Sequence, residues 1–99
     1  MKLPKQVKVS GIIYSVIEKK HPEDEGHTVW GFTDYEVSKI FIRKGLSEQK
    51  KRQTLMHELV HAMLHEAGED EHCNDESIVN PLGNMLDQVL QDNPELINK

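Results

Sequence analysis

A single cysteine, Cys73, is the only thiol in the chain. An internal disulfide is therefore excluded, and nothing in the cysteine usage calls for an oxidising compartment. Aromatic residues make up 5% of the 99 positions and hydrophobic residues 36%. A core built from that stock is modest, so one domain, residues 1–99, with one site is expected. A bound ion would then contribute to folding as well as to chemistry. No apolar run has the length of a membrane span, and Met1-Lys2-Leu3-Pro4 does not open onto a signal-peptide core. No membrane partner and a cytoplasmic location are expected. Basic charge is also scarce, since 12 Lys and Arg against 17 Asp and Glu leave a formal net charge of −5. That balance opposes binding to nucleic acid, which rests on clustered cations displacing counterions from phosphates. The short run Lys50-Lys51-Arg52 reads as the solvated face of a helix start. Repeats and low-complexity tracts are absent.

The chain divides near Gly45 into an extended half, residues 1–46, and a helical half, residues 47–99. Residues 7–18 are dominated by β-branched side chains and read as one strand with a bulge at Gly11. Residues 19–27 are charged, contain Pro22 and Gly26, and read as a loop whose His21, Glu23, Asp24, Glu25 and His27 are solvated. Residues 28–32 and 37–43 read as a hairpin turning at Thr33, Asp34 and Tyr35. The expected fold class is α+β: a three-stranded, mainly antiparallel sheet packed against a motif-bearing helix and a C-terminal helix. Ser47 is a favoured cap and Gly68 a favoured stop, which bounds the first helix. Ile78, Leu82, Met85, Leu86 and Val89 recur at helical spacing and predict a second helix, with Asn74 or Asp75 as its cap.

The first helix carries His57-Glu58-Leu59-Val60-His61. Residues four apart on an α-helix differ by about 40° around the axis and about 6 Å along it, so both imidazoles reach the same side. Two imidazole nitrogens can grip one cation, and Zn2+ favours such ligands in tetrahedral geometry. Glu58 borders the same face and is placed to take a proton from a water without being a ligand. A shuffled chain of this composition contains the H-E-x-x-H pattern in roughly 3% of cases, before a helix is required of it. The bland alternative makes these residues the polar stripe of an amphipathic helix, but partial burial of three adjacent polar groups is costly without partners.

A third ligand is required, and His65, His72, Cys73, Asp75 and Glu76 are the candidates. His65 extends the four-residue series but lies about 80° around from His57 and a turn further on, too far to share one ion easily. A metzincin would need histidine at Ala67 and glycine at Leu64, so that class is excluded. Glu76 at the start of a returning helix is better placed, and Gly83 two turns later would let the two helices approach closely. Pro81 counts against a continuous second helix, and with Asn80 as an alternative cap Glu76 would fall on a separate turn.

The stretch Thr54-Leu-Met-His-Glu-Leu-Val-His-Ala-Met-Leu-His-Glu-Ala-Gly68, followed by Asn74-Asp75-Glu76-Ser77-Ile78-Val79, resembles small phage-type metallopeptidases related to the ImmA/IrrE group. The Lys39-Ile40-Phe41-Ile42 strand before the motif is similar too. The resemblance implies a gluzincin-like zinc site with His57, His61 and Glu76 as ligands, Glu58 as the catalytic residue, and a peptide or protein as substrate. Cleavage of a repressor, as in larger relatives, would be one such use. Tyr14, Tyr35, His65 and His72 are the candidates for stabilising an oxyanion, and residues 37–43 for pairing with a substrate strand. Two rival expectations are a binding module with a closed structural metal, completed by His72 or Cys73, and a peptidase fold that needs an activating partner.

Overall fold

The computed structural model describes residues 2–96. The apolar segment 7–18 is two strands: β1 (Gln6–Val9) and β2 (Ile12–Lys19), antiparallel, with Val9 opposite Ile12. Ser10 and Gly11 form the tight turn between them at φ of 52° and 82°. Both positions of such a turn need positive φ, which glycine adopts without a Cβ penalty. The charged segment after β2 also contains structure. A two-stranded ribbon, β3 (Glu23–Asp24) and β4 (His27–Thr28), turns at Glu25-Gly26.

β5 (Gly31–Asp34) and β6 (Lys39–Arg43) form the expected hairpin, with the turn shifted to residues 35–38. The main sheet has the order β1-β2-β6-β5, with β6 parallel to β2 and antiparallel to β5. The α+β class therefore holds, but the sheet has four strands and is mixed, where three mainly antiparallel strands were expected. Residues 20–30 swing away through the small ribbon, leaving a place beside β2 that β6 fills on its return. Sequence neighbours are usually spatial neighbours, and this excursion breaks that rule. The central place suits β6, whose Ile40 and Ile42 are fully buried while Phe41 faces Phe32 on the opposite side. With partners on both sides β6 has no free edge for a substrate strand, contrary to expectation. The free edges of this sheet belong to β1 and β5.

α1 (Glu48–Glu66) begins where Ser47 predicts, the Ser47 hydroxyl accepting the Lys50 N–H at 3.1 Å. It ends at Gly68, whose φ of 84° closes the last turn. Leu55 and Ala62 lie under α1 against Tyr14, Ile40, Ile42 and Val9, and this cluster is the core. Tyr14 is buried and donates to Glu66 Oε2 at 2.6 Å, tying β2 to the end of α1. Burial first, then the Glu66 carboxylate, raise the Tyr14 pKa far above its ordinary value.

α2 (Glu76–Asp92) is continuous through Pro81. Proline there frees the Ser77 carbonyl, and because both residues are exposed that carbonyl is within reach of water. Asp75, not Asn80, is the cap, its carboxylate accepting from the Ser77 N–H at 3.0 Å and the Ser77 hydroxyl at 2.6 Å. Gly83 is buried against α1: a Cβ built there would stand 3.0 Å from His57 Cα. Glycine is thus the residue that lets the helices close on each other beside the motif. Arg52 and Asp87 bridge the same interface at 2.9 Å, both side chains largely buried. Neither helix is long and apolar enough to cross a membrane, among the described residues.

Candidate metal centre

α1 and the first turn of α2 bring three donors together. His57 Nε2 and His61 Nε2 are 3.2 Å apart, Glu76 Oε2 is 3.1 Å from the first and Glu76 Oε1 3.0 Å from the second. The edges of a tetrahedron around an ion with bonds of about 2.0 Å measure about 3.3 Å. The donor set therefore has the dimensions of a small cation's shell.

The hydrogen bonding also favours an ion. His61 Nδ1 lies 2.5 Å from the Cys73 carbonyl oxygen, which can only accept. Nδ1 must carry the proton, so in the neutral ring Nε2 is a bare lone pair. That lone pair faces a carboxylate oxygen and a second imidazole nitrogen. Burial, the larger effect, and the neighbouring His61 both lower the His57 pKa, with Glu76 acting against them. A cation at the meeting point satisfies every one of these lone pairs, and the Cys73 carbonyl fixes the His61 ring as outer-shell acceptors do in metal sites.

Glu58 lies beside this group, buried at 5% exposure. Its Oε1 accepts the Thr33 hydroxyl at 2.8 Å. Burial pushes its pKa from 4.5 up to about 7, with His61 and the Thr33 hydrogen bond pulling the other way. Beneath it lies Gly31 of β5, where a Cβ would meet Thr54 Cγ2 at 2.7 Å and Glu58 Oε2 at 3.1 Å. Side chains are thus excluded from that point of the strand by the approach of α1.

An open cleft of about 1030 Å³ runs over the donors, with residues 29–36 along one wall and Asn80 and Asn84 of α2 opposite. Tyr35 lines it and donates to Asn74 Oδ1 at 2.9 Å. Burial, then its contact with Cys73, raises the Tyr35 pKa well above the ordinary value. Of the other residues raised as oxyanion donors, Tyr14 is committed to Glu66 inside the core. His65 stacks on Tyr35 and pairs with Asp70, and His72 is exposed in the connection between the helices. Asp75 is occupied in capping. Neither His72 nor Cys73 joins the His57, His61 and Glu76 group, among the described residues.

Thr33, Gly31 and the Cys73 carbonyl escaped the sequence reading. Thr33 was placed in a turn. No periodicity marks a strand residue that bonds a helix 25 positions away, and a backbone carbonyl carries no sequence signal.

A helix bearing two histidines and a glutamate, a carboxylate from the next helix and a sheet edge beside them define a metallopeptidase-like domain. The chain belongs to the IrrE N-terminal-like domain family, Peptidase_M78, whose model matches residues 18–80. The matched span runs from the end of β2 to the second turn of α2 and includes all three donors and Glu58. Among curated proteins and among solved structures, none matches the chain significantly.

Proposed function

We propose that this chain is a zinc-dependent peptidase acting as one minimal domain, with His57, His61 and Glu76 as metal ligands and Glu58 as general base. The observation that carries the reading is the convergence of three donors, 3.0–3.2 Å apart, beside a buried carboxylate in an open cleft. Bound there, Zn2+ supplies Lewis acidity, polarising a scissile carbonyl and acidifying a water. Glu58 takes the proton of the attacking water on its carboxylate and returns it to the departing amine. Burial raises the Glu58 pKa and a bound cation lowers it, and these opposing effects suit a group that must both accept and release a proton. The Thr33 hydroxyl holds Oε1, leaving Oε2 to the proton.

A peptide substrate pairs with β5, because an exposed sheet edge presents unpaired backbone groups to an extended chain. Residues 29–36 line the cleft, so a strand added there passes the donors. This assigns the pairing role to β5 in place of β6.

The test compares metal content and cleavage of a peptide library across variants. Glu58→Gln is expected to keep stoichiometric metal and lose at least about 100-fold in turnover, the usual contribution of a general base. Glu76→Ala is expected to lose the metal. Hydrolysis undiminished in Glu58→Gln overturns the role of Glu58 as base, and a parent that holds metal yet cleaves nothing overturns the peptidase reading and favours the binding-module alternative.

A further inference from the structure

The connection between the helices contains a second group of donors that the proposed reaction does not use. A ring nitrogen of His65, a carboxylate oxygen of Asp70 and Cys73 Sγ lie within 4.8 Å of one another, at the end of α1 and in the turn that follows. The group is distinct from the first in its atoms, although Cys73 belongs to both neighbourhoods. Its carbonyl accepts from His61 on one side, and its thiol, on a residue only 3% exposed, turns to Asp70 on the other.

Local structure brings these residues together. Hydrogen bonds from the His72 and Cys73 N–H groups to the Glu69 carbonyl wind residues 69–73 into a helical turn, which places Asp70 and Cys73, three apart, on one side. His65 faces that side from α1, its Nδ1 3.3 Å from Asp70 Oδ1. Its ring is held by Tyr35, stacked at 4.3 Å between centroids, and Tyr35 is in turn held by Asn74. The thiol makes a weak contact with the Asp70 carbonyl oxygen, at 3.6 Å, and lies beside the Tyr35 hydroxyl. A buried sulfur beside an oriented imidazole and a carboxylate is a mixed soft and hard donor set of the kind that selects Zn2+ over Mg2+ or Ca2+.

We propose that His65, Asp70 and Cys73 form a second site, for a thiophilic divalent cation such as Zn2+, that fastens the helix connection. With bonds of about 2.3 Å to sulfur and about 2.0 Å to nitrogen, the tetrahedral S···N edge is about 3.5 Å. Rotation of the Asp70 side chain, 78% exposed, and a small turn of the Cys73 side chain close the group to that size. Water fills the fourth position. As the metal–sulfur bond forms, the thiol proton leaves to solvent. The bound ion anchors the peptide whose carbonyl orients His61, so the two sites share one backbone unit.

Co2+ is the probe, because a thiolate ligand gives it a near-ultraviolet charge-transfer band that histidine and carboxylate ligands do not. The reduced, metal-free full chain is titrated with Co2+ alone. The parent is expected to show the band, and Cys73→Ser to lose it. His65→Ala and Asp70→Ala, partly and highly exposed side chains whose replacement leaves the core intact, are expected to raise the Co2+ concentration at half-saturation of the band at least tenfold. His57→Ala is expected to leave it unchanged, which separates this site from the first whatever the fate of the peptidase reading. No band at saturating Co2+ overturns the proposal. So does a band that weakens in His57→Ala while persisting in His65→Ala and Asp70→Ala, since Cys73 would then belong to the first site.

Discussion

Glu58 makes the metal-free protein pay for its site, and Glu58→Gln removes that penalty. The carboxyl is 5% exposed and its pKa is raised from 4.5 to about 7 by burial. Between those two values the folded chain keeps a proton that the unfolded chain has released. Stability from this group is therefore fully present below pH 4.5 and is lost as pH rises through 7. A shift of this size corresponds to about 3 kcal/mol once the carboxylate is ionised in both states. Glutamine has the same shape, accepts the Thr33 hydroxyl through its own carbonyl oxygen and does not ionise. In chelator-treated protein, urea unfolding of parent and Glu58→Gln is expected to coincide near pH 4.5. At pH 8.5 the variant should be more stable by about 3 kcal/mol. Parallel stability curves, or a variant weaker than the parent at pH 8.5, would refute the account of Glu58 as a carboxylate buried against its preference. Metal opposes this effect, because a cation beside Glu58 favours the ionised form, so the parent's deficit should shrink when zinc is restored.

Thr33→Val in the same metal-free protein removes a hydrogen bond that favours ionised Glu58. The alkaline loss of stability should deepen by about 2 kcal/mol at pH 8.5, read by urea titration, with little change at pH 4.5. Gly83→Ala gains about 1 kcal/mol of helix propensity, yet its Cβ meets His57 Cα at 3.0 Å. Overpacking of about 2 kcal/mol should outweigh that gain, and isothermal titration should show weaker zinc binding as α2 is pushed from α1. Arg52→Ala leaves Asp87 buried without its partner and should cost about 3 kcal/mol in thermal or urea unfolding. Zinc-saturated cleavage below the unfolding transition should be little affected, since Arg52 lies outside the cleft lining.

The parts of the site that could be read from the sequence depend on one helix. The spacing of His57 and His61 fixes their common face wherever the helix sits, and Ser47 and Gly68 bound that helix by chemistry within one turn of each end. Gly83 was legible for a related reason, as a residue without a side chain on the face of α2 that meets α1. The position of Glu76 depended on where α2 begins, and the sequence offered Asn80-Pro81 as a rival start. The Asp75 cap resolves it, because its two contacts with Ser77 set the first turn ahead of the proline. The sheet was the harder problem. Residues 39–43 alternate as a strand in any pairing, so nothing local specifies that β6 lies parallel beside β2. That pairing becomes available only when residues 20–30 fold outward, and their charged composition reads as an ordinary loop.

The missed residues share a position, since Gly31 and Thr33 both lie on β5, two apart, and both touch α1 at Glu58. Residues two apart on a strand face the same side, so one face of the edge strand is dedicated to Glu58. Gly31 permits the approach by having no side chain, and Thr33 fixes the carboxylate by donating to it. The backbone of that strand meanwhile remains free along its outer edge to pair with an extended peptide. In the proposed reaction, one four-residue strand therefore both positions the substrate and orients the carboxylate of the base, which α1 carries together with His57 and His61. A shift of β5 relative to α1 would move the substrate strand and the Thr33 hydroxyl together, changing their distance from Glu58 and from the donors on α1 and α2. The contacts that hold this distance are the close packing at Gly31 and the Thr33 hydrogen bond, which gives two small residues outside the motif a direct effect on its geometry.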